Sequence, residues 1–325
     1  MEKIIFRQKQ LIDREEERKF IIDWFKKVPD EILWIYGPKN TGKTTIIEYL
    51  SKSELSLKYN INYVNLKYKK NIDELFQTFF LLKDKIIIQE IKERNIDLFD
   101  TLFNQLKNSK KKNILIFDEI QSLEEIYIDK ERELLKEFLN FCARLTKEAH
   151  LAHVVLLSSN TIFINKIYNN SKLKATSQFY KVNHLKKEIV FEYFSDKFNN
   201  EELELLWEYV GGAIFFIQKV IRKMEMENKT LPETLHRMAL DAKSEVVLKL
   251  RNKTEEEVQT FIKIKDKILE NGYLELEDLI TDKMMNTLID EFCEAEILFF
   301  EPMDNRVYPN SKIYQKGFEL LKLGR

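Results

Sequence analysis

Residues 34–47 read Trp34-Ile35-Tyr36-Gly37-Pro38-Lys39-Asn40-Thr41-Gly42-Lys43-Thr44-Thr45-Ile46-Ile47, which places two of the seven glycines of a 325-residue chain around one lysine. Glycine-poor chains have few positions for positive φ or close backbone approach, so two glycines five apart mark a special conformation. The stretch fills G-x-x-x-x-G-K-[ST] completely. An apolar run, Ile32 to Tyr36, precedes it and an apolar-periodic segment, Ile46 to Leu50, follows, which is the strand, loop and helix context the motif requires. Backbone N–H groups of residues 39–44 are expected to point inward at a helix N-terminus, with Lys43 reaching the β and γ phosphates of a nucleotide. Gly37, Pro38, Lys39, Asn40, Thr41 and Gly42 shape the cradle, the Thr44 hydroxyl is set to ligate Mg²⁺, and Thr45 to cap the α-phosphate.

The second half of such a site is read from Asn113-Ile114-Leu115-Ile116-Phe117-Asp118-Glu119-Ile120-Gln121. Asp118 ends an apolar run and so falls at the carboxyl edge of a buried strand, where ligands bind in open α/β sheets. It is placed to hold Mg²⁺. Glu119 follows directly and is placed to orient or deprotonate an attacking water. A later strand, HVVLL at 153–157, runs into Ser158, Ser159 and Asn160. These side chains are either a γ-phosphate sensor, with Asn160 the preferred residue, or an ordinary turn and N-cap for a helix near Thr161.

Strand candidates at Ile32–Tyr36, Asn62–Leu66, Asn113–Phe117 and Val154–Leu157 alternate with helical segments, such as Arg132–Leu145 with its near-3.6 apolar spacing. The fold class that follows is α/β, a P-loop NTPase parallel sheet, and Val154–Leu157 closes the set of strands. From Lys187 to about Leu250 the pattern is helical only. A helix from Glu255 to Leu269, an Asn271-Gly272 stop, a short helix near Leu276–Thr281, another at Lys283–Cys293, and a hairpin of Ile297–Phe300 with Arg306–Pro309 make a C-terminal winged-helix domain. The expected domains are therefore 1–185, a P-loop core; 186–250, a helical lid; and 251–325, the winged helix.

Composition narrows the class of function. Hydrophobic residues make up 44% of the chain, without an apolar run of membrane-spanning length, and the charged start MEKIIFRQKQLIDREEE does not resemble a signal peptide. A cytoplasmic location is expected. Cys142 and Cys293 lack metal-site spacing, and His150 and His153 lack a third ligand, so all four read as structural. Net charge is −1 overall, yet residues 244–325 hold 12 Lys or Arg against 17 Asp or Glu.

The arrangement resembles the archaeal ATPase family within the STAND clade of AAA+-like P-loop NTPases. The resemblance covers nearly the whole chain: Ile12-Asp13-Arg14-Glu15-Glu16-Glu17 is similar to the family's N-terminal box, GPKNTGKT and ILIFDE to Walker A and Walker B, and EYVGGAIFFI at 208–217 to a lid Gly-Gly motif carried by Gly211 and Gly212. It implies that Ile12 and Arg14 lie on the adenine side. Two departures stand out. Ala213-Ile214 replace a proline common after the lid glycines, and SKLKATSQFY offers Lys172 and Lys174 where relatives carry arginine, so no arginine finger is assigned. The implied function is an ATP-binding and ATP-hydrolysing molecular switch with Mg²⁺, in which ATP or ADP sets how lid and winged helix sit on the core. The alternatives are an ATP-regulated DNA-binding protein and a nucleotide-binding scaffold without turnover. The acidic tail disfavours DNA and favours a protein partner or intramolecular docking of the winged helix.

Overall fold

The computed structural model describes residues 4–6, 9–11, 13–67, 98–124, 133–169, 171–275, 277 and 282–322. Strands β1 (Ile4–Phe6) and β2 (Lys9–Leu11) form a small antiparallel ribbon. The main sheet is built from β3 (Ile32–Tyr36), β4 (Tyr59–Asn65), β5 (Lys112–Asp118), β6 (Ala152–Ser158) and β7 (Ser177–Lys181), all parallel, in the order β4-β5-β6-β3-β7. Its inner strands are apolar on both faces because helices cover both. Leu33, Ile35, Ile114, Ile116, Val155 and Leu157 pack with helices Glu15–Lys26 and Lys43–Lys52. The alternate residues Ile32, Trp34, Leu115, Phe117, Val154 and Leu156 pack on the other face with helices Leu98–Lys107, Leu134–Ala143 and Thr161–Asn169. The period of two in the strands sorts the core into its two layers.

Strand β7 corrects the expectation that β6 closes the sheet. Its sequence, SQFYK, has only Ser177 buried, since it pairs on one side alone with β3. Tertiary contacts hold it in place: Trp34 Nε1 donates to Ser177 Oγ at 3.0 Å and the Trp34 ring stacks on Phe179. The helix expected over 132–145 is observed from Leu134 to Ala143, where it passes into a wider turn, Arg144–Glu148.

Beyond the sheet, helices Lys187–Phe194, Asn200–Val210, Ile214–Glu227 and Leu231–Leu250 follow one another. Asn199 with Glu202, and Thr230 with Glu233, form capping boxes that fix two of these starts. Helix Glu255–Asn271, β8 (Leu274–Glu275), helix Lys283–Glu294, β9 (Leu298–Glu301), β10 (Arg306–Pro309) and helix Lys312–Glu319 complete the chain, with the strands in antiparallel order β8-β10-β9. The expected hairpin is present. Of the helix expected near 276–281, all but residue 277 lies outside the described residues. Leu206, Leu235, Val246, Phe261, Leu288, Phe292 and Phe318 belong to a single apolar cluster, so the helical region and the C-terminal region share a core.

His153 on β6 is 1% exposed, against the rings of Trp24 and Phe25, and burial pushes its pKa down from 6.5 to about 4. It acts as a buried neutral ring. An unfolded chain takes a proton on this residue near pH 6.5 while the native state refuses it until about 4, so stability is lost as pH falls through that window. The loss approaches about 3 kcal/mol at its lower end. His153→Phe is expected to flatten the stability profile between pH 6.5 and 4; equal slopes in urea titrations of both proteins exclude this account.

Candidate functional site

At the carboxyl end of β3 the chain turns at Gly37, φ 141°, where a Cβ would come within 2.3 Å of the Val182 carbonyl oxygen. The contact arises because Val182 N–H donates to Tyr36 O at 2.8 Å, extending β7 alongside the turn. Only glycine fits. The loop's carbonyls are then tied by side chains. Thr41 Oγ1 donates to Pro38 O at 3.0 Å, and Lys43 Nζ donates to Gly37 O and Pro38 O at 2.9 Å each. Arg14 Nη2 donates to Thr41 O at 2.7 Å, while its Nη1 pairs with Glu17 at 2.6 Å. Gly42, φ 94°, starts helix Lys43–Lys52, whose first-turn N–H groups have no partner within the helix and form an anion-binding end. Burial pushes the Lys43 ammonium down to about 8, against the opposing pull of Asp118, Glu119 and Glu296.

Asp118 ends β5 at 4% exposure. Its Oδ2 accepts from Thr44 Oγ1 at 2.7 Å and from Tyr63 OH at 2.8 Å, and its Oδ1 accepts from Glu119 N–H at 3.0 Å. Loop and strand thus meet. Two oxygens of the hard type that divalent magnesium prefers stand side by side, so Thr44 and Asp118 fit the ion as a donor set. Glu119 takes a left-handed conformation, φ 60°, that non-glycine residues seldom occupy. Gln121 Nε2 donates to Glu119 Oε2 at 2.6 Å, and Ser158 Oγ, at the end of β6, donates to Gln121 Oε1 at 2.9 Å. Asn160 Oδ1 accepts from Phe163 N–H at 3.0 Å and caps helix Thr161–Asn169.

The loop residues Gly37 through Thr45, with Asp118, Glu119 and Ser158, come together at the carboxyl edges of β3, β5 and β6. Arg14 reaches the loop at its outer side, on the Thr41 carbonyl. Ile12 and the Lys172 side chain lie outside the described residues, and Lys174 is exposed. Gly212, expected from the sequence to be a lid glycine, packs on the segment after β7, with Leu185 N–H donating to Gly212 O at 3.0 Å.

Several contacts are absent from the sequence reading. The C-terminal region touches the loop and its strand directly: Glu296 pairs with Lys39, and Glu301, 1% exposed, accepts from Tyr36 OH at 2.7 Å and pairs with Lys181. His184, whose pKa burial pushes down, approaches the Asn310 carbonyl with Nε2 at 3.0 Å. The one signal for Glu296 and Glu301 is their place at the ends of an apolar run, AEILFFEP, where a carboxylate otherwise faces water.

Residues 11–220 match the model of an ATPase domain found predominantly in Archaea. The chain belongs to the archaeal ATPase family. The chain is similar to an uncharacterized ATP-binding protein of Methanocaldococcus jannaschii, 30% identical over 355 aligned positions that cover 96% of each chain. A second protein of that description from the same organism is 26% identical over 374 positions, covering 98% of this chain and 99% of the relative. Among solved structures, the ADP form of the Aeropyrum pernix ORC2 protein superposes with a TM-score of 0.54 at 12% identity, covering 98% of this chain and 96% of that one. Its ADPNP-ADP form gives 0.53 at 11% identity, over 98% and 94%. These likenesses establish a shared P-loop ATPase fold. Among the described residues no helix is long and apolar enough to cross a membrane.

Proposed function

We propose that this protein binds ATP with Mg²⁺, hydrolyses it slowly, and couples nucleotide state to the placement of a helical lid (186–250) and a winged-helix domain (251–325) on the P-loop core (1–185), in the manner of the STAND clade. The contact that carries this reading is Thr44 Oγ1 to Asp118 Oδ2, which joins the phosphate loop to the strand-end carboxylate with Glu119 beside it. Thr44 and Asp118 would hold Mg²⁺, which when bound neutralises phosphate charge. Lys43 and the loop N–H groups bind the β and γ phosphates, and the Asn160 amide remains a candidate sensor of the γ-phosphate. In the reaction a water oxygen bonds to the γ-phosphorus as its bond to the bridging oxygen breaks. ADP leaves, and Glu119 takes the water's proton. Ile12 and Arg14 belong to the base side of the site, Arg14 acting there through the Thr41 carbonyl.

The coupling has a physical route. Lys39–Glu296 and Tyr36–Glu301–Lys181 tie β9 and the turn before it to the loop, so a rearrangement of the loop alters contacts that hold the C-terminal region. Intramolecular docking of the winged helix is thereby favoured over DNA recognition. The exposed face of helix Lys283–Glu294 carries Lys283, Thr287, Asp290 and Glu294, a poor surface for releasing counterions from phosphates. The test is turnover by the full chain with and without duplex DNA, with a salt titration of DNA binding and small-angle scattering in ATP and in ADP. Expected are phosphate release indifferent to DNA, a DNA dissociation constant weaker than about 10⁻⁴ M at physiological salt for residues 244–325 alone, and a scattering profile that changes with nucleotide. Tight, sequence-specific DNA binding favours the regulator reading, and a stoichiometric ATP complex without phosphate release favours the scaffold.

A further inference from the structure

The hydrogen bonds around Glu119 form a directed chain. An ionised carboxylate only accepts, so the Gln121 atom 2.6 Å from Glu119 Oε2 must be the amide nitrogen. The Gln121 carbonyl oxygen then faces Ser158 and requires a donor, which makes the Ser158 hydroxyl donate across 2.9 Å in preference to the Asn160 carbonyl at 3.4 Å. Ser158 Oγ in turn accepts from the Asn160 N–H at 3.1 Å. Each polarity in the series is fixed by its neighbour, and its two ends are a backbone amide at the mouth of β6 and the carboxylate after β5. Ser158 is 1% exposed, so water does not compete for its hydroxyl. Glu119 sits at φ 60° and ψ 44°, a left-handed conformation that non-glycine residues seldom occupy, and the bond from Gln121 holds its carboxylate from outside that turn.

We propose that Gln121 is a positioning residue that aims the Glu119 carboxylate at the attacking water, and that Ser158, rather than Asn160, is the β6 residue that holds Gln121 to this task. The inference rests on the reading of Glu119 as general base. Gln121 engages one carboxylate oxygen, which leaves Oε1 as the atom directed at water. Ser158 prevents the amide from flipping, a motion that would set a carbonyl oxygen against the carboxylate. The energetic content is orientation, and orientation acts on the chemical step more than on nucleotide affinity.

The experiment measures steady-state ATP turnover and ATP dissociation constants for Gln121→Leu, Ser158→Ala, their double variant and Glu119→Gln. Gln121→Leu is expected to lower kcat about tenfold with ATP affinity within about threefold of the parent, and Ser158→Ala to lower kcat by about threefold to tenfold. Because Ser158 acts through Gln121, the double variant should match Gln121→Leu alone within about twofold instead of showing the product of the two effects. Ser158→Ala removes a single oxygen and carries the test if Gln121→Leu melts early. Equal loss of affinity and kcat, multiplicative effects in the double variant, or kcat unchanged by either substitution while Glu119→Gln is inactive overturns the positioning role alone. Wild-type turnover by Glu119→Gln overturns the base assignment and this inference with it.

Discussion

Lys43→Ala is expected to weaken ATP binding at least a hundredfold, to the point where titration at millimolar nucleotide detects little. Lys43 is 8% exposed and its ammonium makes two charge-assisted hydrogen bonds to Gly37 O and Pro38 O, so it stands inside the loop that would hold the phosphates. Removing it deletes the lysine that the proposed site assigns to the β and γ phosphates and also unties two loop carbonyls. Each charge-assisted contact that the ammonium would make to a phosphate oxygen is worth about 1.5–3 kcal/mol, and two of them, one to the β and one to the γ phosphate, suffice for a hundredfold change. A pH signature separates this from a general loss of fold. Burial pushes the Lys43 pKa down to about 8 in the free protein, and phosphate binding favours the protonated form. Wild-type ATP affinity should therefore be flat below pH 8 and fall by up to about tenfold per pH unit above it, whereas the variant's residual affinity should lack that limb. Calorimetric titration across pH 6.5–9.5, with circular dichroism as a fold control, makes the measurement. A variant dissociation constant within threefold of wild type defeats the assignment of the loop.

Local chemistry was legible in the sequence wherever the partners are near in the chain or belong to one motif. The strand, loop and helix around Gly37–Thr44 and the strand ending in Asp118 follow from apolar runs punctuated by glycine and acid, and the structure places them as the pattern demands. Strand β7 was not legible, because an edge strand needs only one buried face and Ser177, Gln178 and Lys181 dilute the apolar signal. Its place depends on Trp34, 143 residues earlier. The same limit hides the contacts of Glu296 and Glu301 with Lys39 and Tyr36, which span 257 and 265 residues. No period or propensity encodes such pairs; they exist only once the two regions pack. Asn160 shows the converse. Its residue type suits both a phosphate sensor and a helix cap, and only the 3.0 Å contact from Phe163 N–H shows that its oxygen is engaged as a cap.

Glu119→Gln is expected to retain ATP affinity within about threefold while losing a hundredfold or more in turnover, the range in which general-base contributions fall. The substitution keeps the side chain's shape. Its new amide can present oxygen to Gln121 Nε2, preserving the 2.6 Å contact, so the left-handed turn at residue 119 and the start of the following 3₁₀ turn should persist. What it cannot do is accept a proton. A change in kcat without a change in binding therefore reports the chemical step, because ground-state contacts to the nucleotide are untouched. Asp118→Asn supplies the contrast. It removes charge from the carboxylate that accepts from Thr44 Oγ1 and Tyr63 OH, and is expected to weaken Mg²⁺-dependent nucleotide binding along with turnover. If both variants lower kcat but only Asp118→Asn shifts the Mg²⁺ concentration needed for half-maximal binding, the two neighbouring carboxylates divide the work into holding the ion and taking the proton. Undiminished turnover by Glu119→Gln would instead leave that proton to solvent or to the γ-phosphate oxygens, and would reduce Glu119 to a side chain that braces the end of β5.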